Sequence, residues 1–373
     1  MQVNKGRIGI VTLYDLMNYG NRLQNYAVEE IVKSLGYQPK TIIIRMVTPR
    51  TIINEIIGRL KNRQQFQSWN MMQENKRFVK SLSTIEKEKY IRFLEFNKNN
   101  THVIYKNLYK GFRCLWQRKY KYFLAGSDQI WNPMAGQAED WEFLTFAPKN
   151  KRIAIAASFG VETISENRIR IQKNLQEIKC ISVREEAGQK IVKELTGRDA
   201  TLLVDPTLLI TKEQWLGIAE KSNVANDDES YILTYFLGNE TERIKNDIIC
   251  FCNDKNLRVR KLNNKNDAEN FISGPAEFLY MINKAELILT DSFHACVFAF
   301  LFNKPFLVYQ RAGKKENMMS RMDTLLSKFS LERKYANSGL PNDIWEHDYT
   351  EGYKQLEIER KKAINFLKKA LED

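Results

Sequence analysis

The chain has 373 residues, 43% of them hydrophobic, with only 17 glycines and 8 prolines. That suits two globular domains and argues against disorder. The formal net charge is +13, and the longest apolar run, residues 295–302, is far shorter than the ~20 residues a membrane-spanning helix needs.

The first residues, MQVNKGRIGIVTL, read as a charged start running into a strand, not as a signal peptide. The five cysteines, an odd count at irregular spacing, suit reduced thiols in the cytoplasm. Cys250 and Cys252 have no partner pair or nearby histidine, which argues against zinc. Charge is concentrated: residues 50–122 hold 17 Lys or Arg against 5 Asp or Glu, nearly the whole excess. Phe66, Trp69, Phe93, Phe96, Tyr105 and Trp116 are interleaved with these bases. Such a segment suits an anionic surface, nucleic acid or an acidic substrate, or it is a set of solvated helix faces.

In chain order, residues 7–13 predict a strand. The loop YDLMNYGN follows, with a tight turn around Asn18, Gly20 and Asn21 that brings backbone N–H groups towards a ligand. An amphipathic helix over 23–35 ends at Gly36, and 41–45 is the next strand. Strand–helix–strand implies a parallel sheet. The basic segment is mostly helical in pattern. Strands then end at Ala125, near Ser158, at Val183 and at Val204, with helices over 166–178 and 186–195. A second alternating unit has strands at 231–236, 257–262, 286–290 and 305–309 and helices at 240–253, 274–284 and 293–302. Residues 220–230 read as the linker, and a last amphipathic helix covers 353–371. The organisation predicted is an α/β fold of two Rossmann-type, doubly wound parallel domains facing across a cleft: 1–219, 220–345, and a terminal helix in 346–373.

In such sheets ligands sit beyond the carboxyl ends of strands and against helix N-termini. Past the first strand lie Asn18, Asn21, Arg22 and Gln24. GSDQIWNP places Asp128 at a strand end, with Trp131 as a platform for a sugar face; an Asx turn is the plainer alternative. ISVREE places Arg184, a planar fork for carboxylate or phosphate, at another strand end, or pairs it with Glu185 or Glu186. Asp205 in LVDPT reads as structural. LTDSFHA is the most informative stretch. Asp291 precedes Ser292, a fit N-cap, and His294, one of three histidines, follows at the helix start. Downstream, Arg311, Lys314, Lys315, Asn317, Ser320 and Arg321 crowd donors into one loop.

NYGNRLQNYA, AGSDQIWNP, ISVREE, LVDPT and LTDSFHACVFAFLFNKPF, in this order and spacing, resemble the polysaccharide pyruvyl transferase family over roughly residues 7–325. The resemblance implies a GT-B-like fold. It implies transfer of pyruvate from phosphoenolpyruvate (PEP) onto two hydroxyls of a sugar in a bacterial surface polysaccharide precursor, giving a cyclic ketal. Arg184 matches the arginine of an S-x-R-[DE] motif, a PEP-binding position. His294 matches the histidine closing an R-L-H type motif, in which Ser292 stands where many members have arginine. Arg311 or Arg321 is left to supply that cation.

The chemistry asks for these residue types. PEP needs fixed cations and N–H donors, here Arg184 of the N-terminal domain with Ser292, Arg311, Asn317 and Arg321 of the C-terminal, donor-side domain. Its methylene carbon needs a general acid of near-neutral pKa, His294. The acceptor hydroxyl needs a base or orienting carboxylate, Asp128 or Asp291. Asn18, Asn21, Arg22, Gln24 and Trp131 are the acceptor-side candidates. The scheme needs no cofactor beyond PEP as co-substrate and no metal. The acceptor is a sugar, free or lipid-linked, and the basic segment suits peripheral contact with the anionic inner face of the cytoplasmic membrane. A nucleotide-sugar glycosyltransferase shares the fold and is the nearest rival. A nucleic-acid-binding module leaves the polar strand ends unexplained.

Overall fold

The computed structural model describes residues 5–15, 17–47, 78–109, 115–222, 229–312, 320–336, 344–345 and 347–372. Strands β1 (Arg7–Val11), β2 (Gln38–Val47), β3 (Val103–Tyr109), β4 (Tyr122–Ala125), β5 (Arg152–Ala157), β6 (Cys180–Val183) and β7 (Thr201–Leu202) form a sheet in the order β3-β2-β1-β4-β5-β6-β7. Strands β8 (Tyr231–Tyr235), β9 (Arg258–Lys261), β10 (Leu287–Thr290) and β11 (Phe306–Val308) form a second, in the order β11-β10-β8-β9. All pairings are parallel. The central strands are buried along their length, as in YFLA of β4 and LILT of β10, because crossover helices cover both sheet faces. This is the GT-B-like α/β class the motifs implied.

The principal helices are α1 (Tyr19–Ser34), α2 (Thr84–Asn100), α3 (Arg168–Gln176), α4 (Glu186–Thr196), α5 (Lys212–Ala219), α6 (Glu242–Lys255), α7 (Pro275–Lys284), α8 (Phe293–Leu301), α9 (Ser320–Lys328) and α10 (Thr350–Glu372). One apolar cluster joins the two sheets through α1, α2, α5, α7 and α8. At its centre Tyr19 stacks on Phe278, 4.6 Å between centroids at 10°, and its hydroxyl donates to the Ser273 carbonyl at 2.8 Å. Trp215 meets Phe298 edge-on at 5.0 Å. Helix α10 ties both units together. The Tyr353 hydroxyl donates to the Phe300 carbonyl, while Arg360 donates to Leu208 and Ile210 and the Leu371 carbonyl accepts from Tyr37.

Two elements depart from the sequence expectation. Helix α1 starts at Tyr19, four residues early, because Asn18 takes extended angles and its side chain accepts from Asn21 N; the supposed turn is a capped first helical turn. The basic segment contributes the edge strand β3 as well as α2, since alternation in VIYKNLY fits the pleat beside β2. Within that segment Phe93 and Phe96 belong to the core. Phe66 and Trp69 lie outside the described residues. Among the described residues no helix is long and apolar enough to cross a membrane.

Phe278→Ala removes the ring on which Tyr19 stacks between the sheets. We expect a loss of about 3–5 kcal/mol, read as a lower urea midpoint at unchanged helix content.

Candidate functional site

A cavity of about 850 Å³ opens where the carboxyl ends of the two sheets meet. Residues just past β1, β4, β8, β10 and β11 line it, as the strand-end rule requires. Two helix starts converge there. Asn18 caps α1, and Ser292 caps α8, its side chain accepting from Ala295 N. A Cβ on Gly20 would lie 2.0 Å from His294 Nδ1. Gly20 therefore serves the close approach of α8, not a turn. The Ser292 cap is itself braced: Ser292 N donates to Thr290 Oγ1 (3.0 Å), whose hydroxyl donates to the Tyr235 carbonyl.

Behind the cavity wall lies a buried ionic cluster. Arg184 donates through Nη1 to Asp205 Oδ2 (2.5 Å) and through Nη2 to Asp128 Oδ1 (2.9 Å). Asp128, in the left-handed region at φ 59, also accepts from Asn21 Nδ2 at 2.5 Å and lies 3.5 Å from Arg321 Nη1. Asp205 Oδ1 accepts from the backbone N–H and hydroxyl of Thr207. His294 Nε2 comes within 3.9 Å of Asp205 Oδ2. The Phe293 ring lies 4.6 Å from the Arg184 guanidinium and 6.0 Å from that of Arg321.

Burial acts on every group here, and the partners decide the outcome. Burial raises the Asp128 carboxyl, but Arg184, His294 and Arg321 outweigh it and hold the group well below the usual carboxylate range. Asp205 is lowered against burial by Arg184, His294 and Thr207. Arg184 is raised against burial by the two aspartates. Burial lowers Arg321 to about 10, with Arg184 adding repulsion. Burial also lowers His294 below its ordinary range, against the pull of Asp205 and Asp128. His294 is therefore a neutral imidazole at pH 7 rather than the near-neutral acid read from sequence. An arriving anion favours its protonated form.

His294, Asp128, Asp291, Ser292, Arg311, Arg321, Asn18 and Asn21 all line the cavity. Asp291 and Arg311 form a second pair. The Asp291 carboxylate accepts from Leu237 N, Gly238 N and Arg311 Nε, so it fixes the loop after β8 and aims Arg311. Several candidates sit elsewhere. Arg184 is spent on two carboxylates behind the wall, with 2% of its side chain exposed; these, not Glu185 or Glu186, take its fork. Arg22 is fully buried, stacked 3.9 Å over Tyr14 and donating to the Leu13 carbonyl. Gln24 pins two loops to each other, donating to Thr12 Oγ1 and accepting from Ser127 N. Trp131 is no sugar platform: its ring is wholly buried, stacked on Phe143 at 5.1 Å, with Nε1 bonded to the Glu142 carbonyl. Asn317, Lys314 and Lys315 lie outside the described residues.

Sequence reasoning missed Asp205, taken as structural, and Glu142. The signal for Asp205 was its address past a parallel strand. Glu142 gave none, because it reaches the cavity from a 3-10 turn, Asp140–Phe143. Its Oε2 accepts from Glu139 N at 2.7 Å, and burial pushes its carboxyl up to about 8.

The sequence profile of the polysaccharide pyruvyl transferase family matches residues 18–311, most of the chain and the cavity-lining residues from Asn18 to Arg311, with Arg321 beyond it. The chain belongs to that family. No curated protein matches it significantly. Among solved structures it is similar to a UDP-GlcNAc 2-epimerase from Methanocaldococcus jannaschii, at 13% identity and TM-score 0.45 over 94% of this chain and 99% of that one. A UDP complex of S. aureus MnaA gives 11% and 0.41 over 94% of each chain. The ADP-heptose lipopolysaccharide heptosyltransferase II of E. coli gives 9% and 0.30 over 98% of each.

Two outcomes test this geometry. Gly20→Ala should displace the His294 imidazole, moving its NMR resonance while those of His102 and His347 stay in place. Glu142 should oppose folding at alkaline pH. Its folded pKa of about 8 lies above its ordinary 4.5, so the stability it contributes is full below about 4.5 and lost as pH rises towards 8. Urea midpoints should show Glu142→Gln gaining on the parent protein, by a few kcal/mol at most, between pH 5 and pH 8.

Proposed function

We propose that this protein is a PEP-dependent ketal pyruvyl transferase acting on a sugar of a surface-polysaccharide precursor. The observation carrying this reading is that a protonatable imidazole, His294, shares one wall with Arg311 and Arg321 where two helix starts converge. PEP brings a phosphate and a carboxylate, and this wall offers two guanidiniums and two positive helix ends to them. The family match supports a pyruvyl transferase acting in polysaccharide synthesis.

The chemistry runs in two additions. His294, protonated once the anion is bound, gives its proton to C3 of PEP, and C2 becomes electrophilic. One sugar hydroxyl adds to C2 and loses its proton. The second hydroxyl then adds as the C2–O bond to phosphate breaks, its proton leaving with the phosphate, so the products are a cyclic ketal and inorganic phosphate. Asp128 is clamped by Asn21, Arg184 and Arg321 and held ionised, so it orients the acceptor better than it abstracts a proton. The work suits the cytoplasm, with a free or lipid-linked acceptor. The bases of the segment around residues 50–122 favour an anionic membrane face.

The test is incubation with PEP and a panel of aryl and lipid-linked hexosides, reading a pyruvyl ketal by mass spectrometry. We expect an adduct that falls about 10²–10⁴-fold in rate in His294→Ala. Arg311→Ala and Arg321→Ala should each raise the KM for PEP about tenfold or more, from a lost charged hydrogen bond of about 1.5–3 kcal/mol. A nucleotide sugar that raises the melting temperature while PEP does not, with no ketal formed, would replace this reading with a glycosyltransferase.

A further inference from the structure

We propose that Asp205 is a positioning residue for His294, reaching it from the other sheet behind the cavity wall and forming a hydrogen bond to Nε2 when an anion closes the site. The two belong to different sheets: Asp205 follows β7 in the first, and His294 begins α8 after β10 in the second. Nε2 lies 3.9 Å from Asp205 Oδ2. An approach of about 1 Å makes a hydrogen bond of ordinary length. Nε2 is meanwhile buried with no hydrogen-bond partner, a state that burial makes unfavourable. Two buried polar atoms, one a donor in the right tautomer and one a carboxylate oxygen, are thus held just out of reach of each other, one on each sheet.

The carboxylate is built to wait. Thr207 donates twice to Oδ1, while Oδ2 accepts from Arg184 Nη1 and, at 3.3 Å, from Ser127 Oγ on the side that faces His294. The other ring nitrogen, Nδ1, lies against Gly20 on the cavity wall. With Nε2–H held by Asp205, Nδ1 is the nitrogen left to carry the mobile proton. The charged groups facing the ring are Asp205, Asp128 and Arg184 from the first sheet and Arg321 from α9; α1 presents only Gly20 at the contact. Two aspartates stand against two arginines, so the balance turns on the distance to Asp205. The open cleft leaves the imidazole neutral, and closure favours the imidazolium. The acid would then be armed only with donor bound. The role of that proton rests on the pyruvyl transfer proposed above; the pairing itself does not.

The chain has three histidines, so ¹⁵N NMR of the full-length protein resolves His294 once His294→Ala assigns it. The probes are inorganic phosphate and PEP. In the parent protein we expect either anion to raise the His294 pKa by at least one pH unit and to give Nε2 the shift of a hydrogen-bonded N–H. Asp205→Asn should abolish most of that rise while His102 and His347 titrate as before. Anions that leave Nε2 with the shift of an unbonded nitrogen in the parent protein overturn the proposal, and that measurement needs no variant to fold. So does an Asp205→Asn protein whose His294 responds as the parent does. A ketal formed without this response sinks the pairing alone. The response with phosphate but no ketal from any acceptor keeps the pairing and sinks the pyruvyl transfer.

Discussion

Arg184 is buried with both terminal nitrogens spent on carboxylates, Asp205 on one side and Asp128 on the other. Removing one partner of a buried pair leaves an uncompensated charge, at about 3–5 kcal/mol, so the three strand ends carrying these groups are held in one geometry. Strand order makes this possible: β6 lies between β5 and β7, and β4 lies beyond β5. Asp128 reaches in because its backbone takes a left-handed conformation after β4. The clamp fixes the rear wall of the cavity from the first sheet alone.

The second sheet repeats the device more openly. Asp291 holds two backbone N–H groups of the loop after β8 and steadies Arg311. In both sheets a strand-end aspartate takes an arginine as a partner, but with different consequences. Arg184 has no side-chain surface left for a ligand, whereas Arg311 and Arg321 stand on the cavity wall. Charges buried behind the wall set geometry and the protonation of His294. Charges on the wall, Arg311 and Arg321, are the ones that face the cavity.

Much of this was legible in the sequence. Strands that are apolar throughout, such as LILT and YFLA, announce a parallel sheet, and the polar residue that ends each run marks the rim. His294, Asp128 and Ser292 were legible on that ground. What remained hidden depends on contacts between distant segments. Gly20 looked like a turn glycine because sequence shows a missing side chain but not the imidazole that fills its place. Trp131 looked like a platform because an aromatic beside a polar loop reads the same whether its ring faces solvent or Phe143. Asp205, beside a proline, carries every local sign of a capped turn, and it does cap one. Only the position of Arg184 and His294 shows that its other oxygen has further partners. Strand β3 hid because VIYKNLY, within a basic segment, fits a helix surface as well as an edge strand.

Position 292 shows how such a site tolerates change. An arginine there would offer a cation but no side-chain oxygen to cap α8. Ser292 accepts from Ala295 N and leaves the helix N-terminus aimed into the cavity, at the loss of one charge. Arg311 arrives from the end of β11 and Arg321 from the start of α9, both on the same wall. For the doubly charged donor proposed above, the requirement is the number and placement of positive ends in space, and a helix start with two guanidiniums would meet it without an arginine beside the histidine.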